Sequence, residues 1–90
     1  MSVDETEFQR MVLDAVSNDF EDFEMVASEV AKWSGTAVNE GHTNRIERVL
    51  MRLLADKRIA AYAPLGTQDL MIPTEADSQN IRTLWFYIKK

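Results

Sequence analysis

Three arginines at helical spacing are the residues whose types and positions best suit binding chemistry. Arg45, Arg48 and Arg52 are three and four residues apart, so on an α-helix they lie within roughly 60° of one another around the axis. A guanidinium group offers several donors in a fixed plane, which suits phosphate oxygens and the edge of guanine. The arginines therefore predict recognition of phosphate or carboxylate.

The segment that must position these arginines is predicted to be the third helix of the chain. Its most informative part lies in the segment His42 to Tyr62, HTNRIERVLMRLLADKRIAAY. The helix is predicted to begin between Asn39 and Asn44, both suitable caps, and to run to about Asp56. Its core-facing side repeats apolar residues at i, i+3, i+4, i+7 and i+8, the spacing of an amphipathic helix; these residues are Ile46, Val49, Leu50, Leu53 and Leu54.

Two further helices are predicted before this segment. Ser2 to Glu5 has the spacing of a capping box, and an apolar stripe follows it. Ser17-Asn18-Asp19 breaks the pattern and supplies a cap, after which a second helix is expected from Phe20 to a stop at Gly35. The apolar stripes are Phe8, Met11, Val12, Ala15 and Val16 in the first helix, and Phe20, Phe23, Val26, Ala27, Val30 and Ala31 in the second.

The last third of the chain is predicted to form strands. Ile59 to Tyr62 has strand composition, and Ile81 to Lys89, IRTLWFYIK, alternates two side-chain faces, both expected to be covered. A long polar loop with one apolar island, Leu70-Met71-Ile72, separates the two strands. Gly35 to Gly41 is expected to be a turn or a short irregular helix between the second and third helices.

The predicted chain has three helices followed by a two-stranded hairpin. Its third helix has the form Arg-Ile-x-x-Val-Leu-x-x-Leu-Leu and is followed by a basic turn and Ile-x-x-Tyr. This combination resembles a winged helix-turn-helix domain. The resemblance covers nearly the whole chain, and its most specific part is Arg45 to Tyr62. It implies one α+β domain over residues 1–90, three helices with a C-terminal two-stranded β-hairpin wing. In that family the third helix usually enters the major groove and the wing touches flanking DNA.

The resemblance also implies a set of nucleic-acid-binding residues. Asn44, Arg45, Arg48 and Arg52 fall where base and phosphate contacts are usually made. The other basic candidates are Lys57, Arg58 and Arg82. Lys57-Arg58 stand where the family commonly carries a glycine, so one of them is expected to adopt an unfavourable backbone conformation.

The predicted wing also favours an alternative function. It carries Asp69, Glu75 and Asp77, with no Lys or Arg between Pro64 and Ile81, and an acidic wing would repel phosphate. Many winged helices bind proteins, and the fold alone does not decide function. The alternative is a protein-interaction module whose contact residues are Leu70, Met71 and Ile72.

The composition narrows the classes of function. The chain has 90 residues, no cysteine and one histidine, so a disulfide framework, a thiolate metal site and a histidine-rich zinc site are excluded. No phosphate loop, activated nucleophile or metal-ligand cluster is apparent, so neither an enzyme nor a cofactor is predicted. The longest apolar aromatic run is too short to span a membrane and the N-terminus lacks a secretory pattern. A cytoplasmic protein without membrane contact is expected.

The charge is distributed unevenly along the chain. The net charge is −5, which by itself argues against nucleic acid. Residues 1–40 hold ten acidic and two basic residues, a net charge of −8, whereas residues 41–90 hold eight basic and five acidic residues, a net charge of +3. This asymmetry is suited to orienting the molecule on a polyanion or to head-to-tail pairing of two copies, and an acidic surface that aids solubility explains the first half equally well.

Each candidate feature has a plainer interpretation. The arginines also fit an ordinary solvated helix face. His42 is expected at the surface or at a cap, and Trp85, Phe86 and Tyr87 are expected to complete the core rather than to stack on single-stranded nucleic acid. The leading hypothesis is a small homodimeric protein that binds double-stranded DNA through its third helix and regulates transcription. The alternative is the module that binds a protein partner.

Overall fold

The three helices each begin at a side chain that accepts a backbone hydrogen bond. A computed structural model describes residues 4–64 and 71–88, with α1 at Glu5–Ala15, α2 at Phe23–Ser34 and α3 at Glu40–Ala55. Their caps are Asp4, Asp22 and Asn39, each of which accepts from the backbone N–H three residues later at 2.8 to 2.9 Å. The carboxylate or amide oxygen satisfies a donor that the helix itself cannot.

The ends of α2 differ in how well the sequence predicted them. Gly35 ends the helix in the left-handed conformation, with φ of 70°, as expected. The predicted start was wrong, because Asp22 rather than Asp19 is the cap and Phe20 precedes the helix. Phe20 instead packs edge-on between Tyr62 and Tyr87, with ring centroids 5.0 Å away in each case. At α1 the cap is Asp4, and the expected cap Ser2 lies outside the described residues.

The strands form one antiparallel sheet of four. They are β1 at Glu21–Asp22, β2 at Ile59–Pro64, β3 at Met71–Pro73 and β4 at Trp85–Ile88, in the order β1-β4-β2-β3. The two predicted strands are direct neighbours, with Ile59 opposite Ile88 and Tyr62 opposite Trp85. The α+β class is therefore confirmed, and β1 and β3 add two short strands that the sequence did not predict.

The strand predicted at Ile81 to Lys89 is partly wrong. Ile81–Thr83 forms a turn of 3₁₀ helix. The backbone N–H of Ile81 donates to the Asp77 carbonyl at 3.0 Å, and that of Thr83 donates to the Asn80 carbonyl at 2.8 Å. The strand begins at Trp85, and Lys89 lies outside the described residues. The 3₁₀ turn brings Arg82 beside α3.

The core lies between the helices and one face of the sheet. Most residues of the predicted helical stripes are buried, whereas Met11, Phe20 and Leu54 are only half-buried. The largest fully buried side chains come from every helix and from β4, and they include Phe8, Val12, Val26, Val30, Ile46, Leu50, Leu53 and Phe86. The backbone N–H of Ile88 donates to the Val16 carbonyl at 3.0 Å, which joins the end of β4 to the end of α1. This packing fixes the rotation of α3 about its axis.

Candidate nucleic-acid interface

The exposed face of α3 is set by the residues that it buries. His42, Ile46, Val49, Leu50 and Leu53 face the core. Since these positions follow the 3.6-residue period, the opposite side of the helix must face solvent. Asn44, Arg48 and Arg52 are exposed there. We call these three residues the α3 surface.

We call Arg45, Arg48 and Arg52 the arginine stripe. Two of its members, Arg48 and Arg52, remain available to a ligand. Both are exposed, and neither side chain makes a hydrogen bond or ion pair with any of residues 4–64 and 71–88. They lie four residues apart, about one turn or 6 Å along the axis. Two guanidinium groups at this spacing can reach adjacent phosphates or carboxylates.

Arg45, the third arginine of the stripe, is part of the packing between helices. Its Nη2 lies 3.3 Å from Oε2 of Glu5, and its guanidinium carbon lies 4.0 Å from the centroid of the Phe8 ring. An arginine over an aromatic face is held by electrostatic attraction to the ring as well as by the carboxylate. Arg45 therefore joins α1 to α3, whereas Arg48 and Arg52 are exposed to solvent.

Arg82 is likewise held by neighbours within the molecule. Its Nε donates to Oε2 of Glu47 at 3.0 Å and its Nη2 donates to Oδ1 of Asn44 at 3.0 Å. Its guanidinium carbon lies 5.2 Å from the Phe23 ring centroid. The 3₁₀ turn is thereby attached to α3. Because Oδ1 of Asn44 accepts from Arg82, its side-chain NH2 is left to donate elsewhere. The sequence offered no signal for this contact, since 38 residues separate the two side chains.

Lys57 and Arg58 follow α3 and form its C-terminal cap. The N–H of Lys57 donates to the Leu54 carbonyl at 3.1 Å, and that of Arg58 donates to the Leu53 carbonyl at 3.0 Å, which is the Schellman arrangement. Lys57 has φ of 60°, so it has the expected unfavourable backbone conformation, which a glycine would adopt without steric cost. Both side chains are exposed beyond the end of α3.

His42 is not at the surface, contrary to the sequence expectation. It is 5% exposed, its Nε2 donates to the Ala27 carbonyl at 2.9 Å, and the Phe8 ring meets it edge-on at 6.0 Å between centroids. The ring nitrogen must carry the proton, because a carbonyl can only accept. The signal for burial was present in the sequence, since His42 precedes Ile46 by four residues on the same helical side.

The expected contact residues of the wing are only partly described. Leu70 lies outside the described residues, Met71 is half-buried and Ile72 is 42% exposed. In the same region Asp77 uses Oδ1 to accept from the backbone N–H groups of Gln79 and Asn80, so this acid builds the turn before Ile81. Asp69 lies outside the described residues as well.

The chain finds no match among protein-family models, curated proteins or solved structures. Among the helices of residues 4–64 and 71–88, none is long and apolar enough to cross a membrane.

Proposed function

We propose that this chain is a winged-helix protein that binds double-stranded DNA with α3 in the major groove and regulates transcription as a homodimer. The observation that carries the proposal is the presence of two exposed arginines, Arg48 and Arg52, one helical turn apart and without partners among the described residues. Arginine pairs of this kind bind phosphate and the major-groove edge of guanine. Asn44, whose Oδ1 accepts from Arg82, has its side-chain NH2 group as a further donor.

The order of elements supports the same proposal. The elements follow in the order α1, β1, α2, α3, β2, β3 and β4. Strand β4 lies between β1 and β2 in the sheet, and this arrangement is similar to that of winged-helix domains. A single small domain buries limited DNA surface, so two copies on adjacent half-sites are expected.

Charge reversal tests the role of the α3 surface. The pair Arg48→Glu and Arg52→Glu is expected to weaken binding to a labelled duplex at low salt by at least tenfold, measured by fluorescence anisotropy. Arg10→Glu is the matched control, because Arg10 is an exposed arginine on α1. Absence of binding by the wild type at low salt, or an equal loss of binding with Arg10→Glu and with the protein that carries both α3 substitutions, contradicts the proposal.

A protein-interaction module is the second candidate, and one observation favours it. β3 is an edge strand of the sheet, and Ile72 within it is 42% exposed. Exposed edges with apolar side chains are surfaces to which other chains add. Here Ile72→Asp should abolish partner capture in a pull-down while circular dichroism shows the fold intact, and unchanged capture argues against this use of the edge.

A further inference from the structure

Two large apolar side chains of α2 are partly exposed to solvent. Met25 and Trp33 expose 44% and 46% of their surface. They are eight residues apart, so they lie on the same side of the helix about two turns from each other, with the exposed Glu29 midway between them. We call Met25, Glu29 and Trp33 the α2 stripe. Its opposite side, which includes Phe23 and Val30, is buried in the core.

The surroundings of the α2 stripe are acidic. Asp19, Glu21 and Asp22 precede the helix, and Lys32 is the single basic residue within α2. Among the described residues, Oε2 of Glu21 is a buried oxygen with no hydrogen-bond partner. Burial, followed by the nearby carboxylates of Glu29, Asp19 and Asp22, raises the pKa of Glu21. This part of the molecule therefore has an excess of acceptors and a shortage of cations.

A second copy of the chain is a poor occupant for the α2 stripe. In a two-fold interface the same patch meets itself. A two-fold axis through the centre of the stripe places Glu29 against Glu29 of the other copy, whether the helices run parallel or antiparallel. Two carboxylates opposed in this way repel each other. This repulsion opposes any contact between Met25 and Trp33 of the two copies. The occupant must carry the opposite charge at its centre.

We propose that the α2 stripe docks a segment of another protein in which a lysine or arginine lies between two apolar side chains. The apolar side chains cover Met25 and Trp33, and the cation pairs with Glu29. Tryptophan and methionine are enriched in the centres of protein interfaces, where buried aromatic side chains contribute much of the affinity. The stripe shares no residue with the α3 surface, so this docking and DNA binding can be lost separately.

Two synthetic helical peptides test the proposal. One carries a lysine midway between two leucines on the same helical face, at the spacing of the α2 stripe, and the other has glutamate in place of that lysine. When each is added to the isotopically labelled full chain, the lysine peptide should shift the backbone amide resonances of the α2 stripe and the glutamate peptide should not. Trp33→Ser is expected to weaken binding of the lysine peptide at least tenfold, and Glu29→Lys is expected to reverse the preference between the peptides.

The matched control is Asp14→Lys, which makes the same change of charge at an exposed position of α1 and should retain binding of the lysine peptide. Circular dichroism on each variant verifies the fold. The proposal is overturned if the lysine peptide leaves the α2 amides unshifted, if Trp33→Ser binds as the wild type does, or if Asp14→Lys and Glu29→Lys weaken binding equally. A wild-type dimer in sedimentation that Trp33→Ser dissociates would assign the stripe to a second copy and also overturn it.

Discussion

The guanidinium carbon of Arg45 lies 4.0 Å from the centroid of the Phe8 ring, and this contact separates Arg45 from the two arginines that follow it on α3. Phe8 is almost fully buried, so the arginine covers the outer face of a core side chain. Of the three arginines in the stripe, one therefore contributes to packing and two are presented to solvent.

Replacement of Arg45 is expected to lower stability. Arg45→Gln removes both the contact with the Phe8 ring and the pair with Glu5, and the combined loss should be about 1 kcal/mol, since each such contact is weak at a partly exposed site. Urea unfolding measures the difference. Arg48→Gln, at an exposed position without these contacts, should alter the free energy of unfolding by less than about 0.5 kcal/mol, and equal losses in the two variants would show that Arg45 has no packing role.

Replacement of Lys57 by glycine is expected to raise stability. Lys57 has φ of 60°, which costs a residue with a Cβ about 1 to 2 kcal/mol. Glycine avoids this cost, but its greater backbone entropy in the unfolded state offsets part of the stabilisation. We expect Lys57→Gly to stabilise the fold by about 0.5 to 1 kcal/mol, seen as a higher melting temperature. Arg58→Gly, one residue later and without positive φ, should bring no gain, and a lower melting temperature for Lys57→Gly would contradict the assigned conformation.

Removal of the His42 side chain should be far more costly than its position near the start of α3 suggests. His42→Ala leaves a cavity beside Phe8 and removes the hydrogen bond to the Ala27 carbonyl, for an expected loss of about 2 to 4 kcal/mol by comparison with other buried truncations. Thr43→Ala, at the next position, is expected to cost less than about 1 kcal/mol. Chemical denaturation compares the two variants, and similar small losses would place His42 at the surface after all.

The stability gained by Glu21→Gln should depend on pH. A carboxyl whose pKa is raised in the folded state binds more protons when folded than when unfolded, so its contribution to stability falls as pH rises above the ordinary value of 4.5. Glu21→Gln removes that penalty and should therefore stabilise the protein at pH 7.5 more than at pH 4. Urea titrations at both pH values measure the effect, with the exposed Glu24→Gln as control; a difference from the wild type that is the same at both pH values would argue against the buried environment of Glu21.

Local patterns predicted the helices because each carries its own signals. In α3 the apolar repeat, a start between Asn39 and Asn44 and an end near Asp56 are all encoded within about one helix length. The caps of α1 and α2 were misplaced by two or three residues because several Ser and Asp side chains near each start could serve. Gly35 was predicted correctly because few residues tolerate the conformation it adopts.

Features that depend on distant residues could not be predicted in the same way. β1 has two residues, and its identity as a strand rests on Glu21 pairing with Phe86 across the chain. The contact of Arg45 with Glu5 and Phe8 depends on how α1 packs on α3, so the sequence could not show which of the three arginines would be held within the molecule. The attachment of Arg82 to Asn44 required the 3₁₀ turn at Ile81–Thr83, which replaced part of an expected strand.

The salt dependence of DNA binding tests the central claim most directly. If Arg48 and Arg52 each neutralise one phosphate, the logarithm of the association constant should fall with the logarithm of salt concentration with a slope of roughly −2 per protomer or steeper. Arg48→Gln and Arg52→Gln should each make the slope shallower by about 1, and Arg10→Gln should leave it unchanged. Slopes that are the same for the wild type and both α3 variants would contradict the proposed role of the α3 surface.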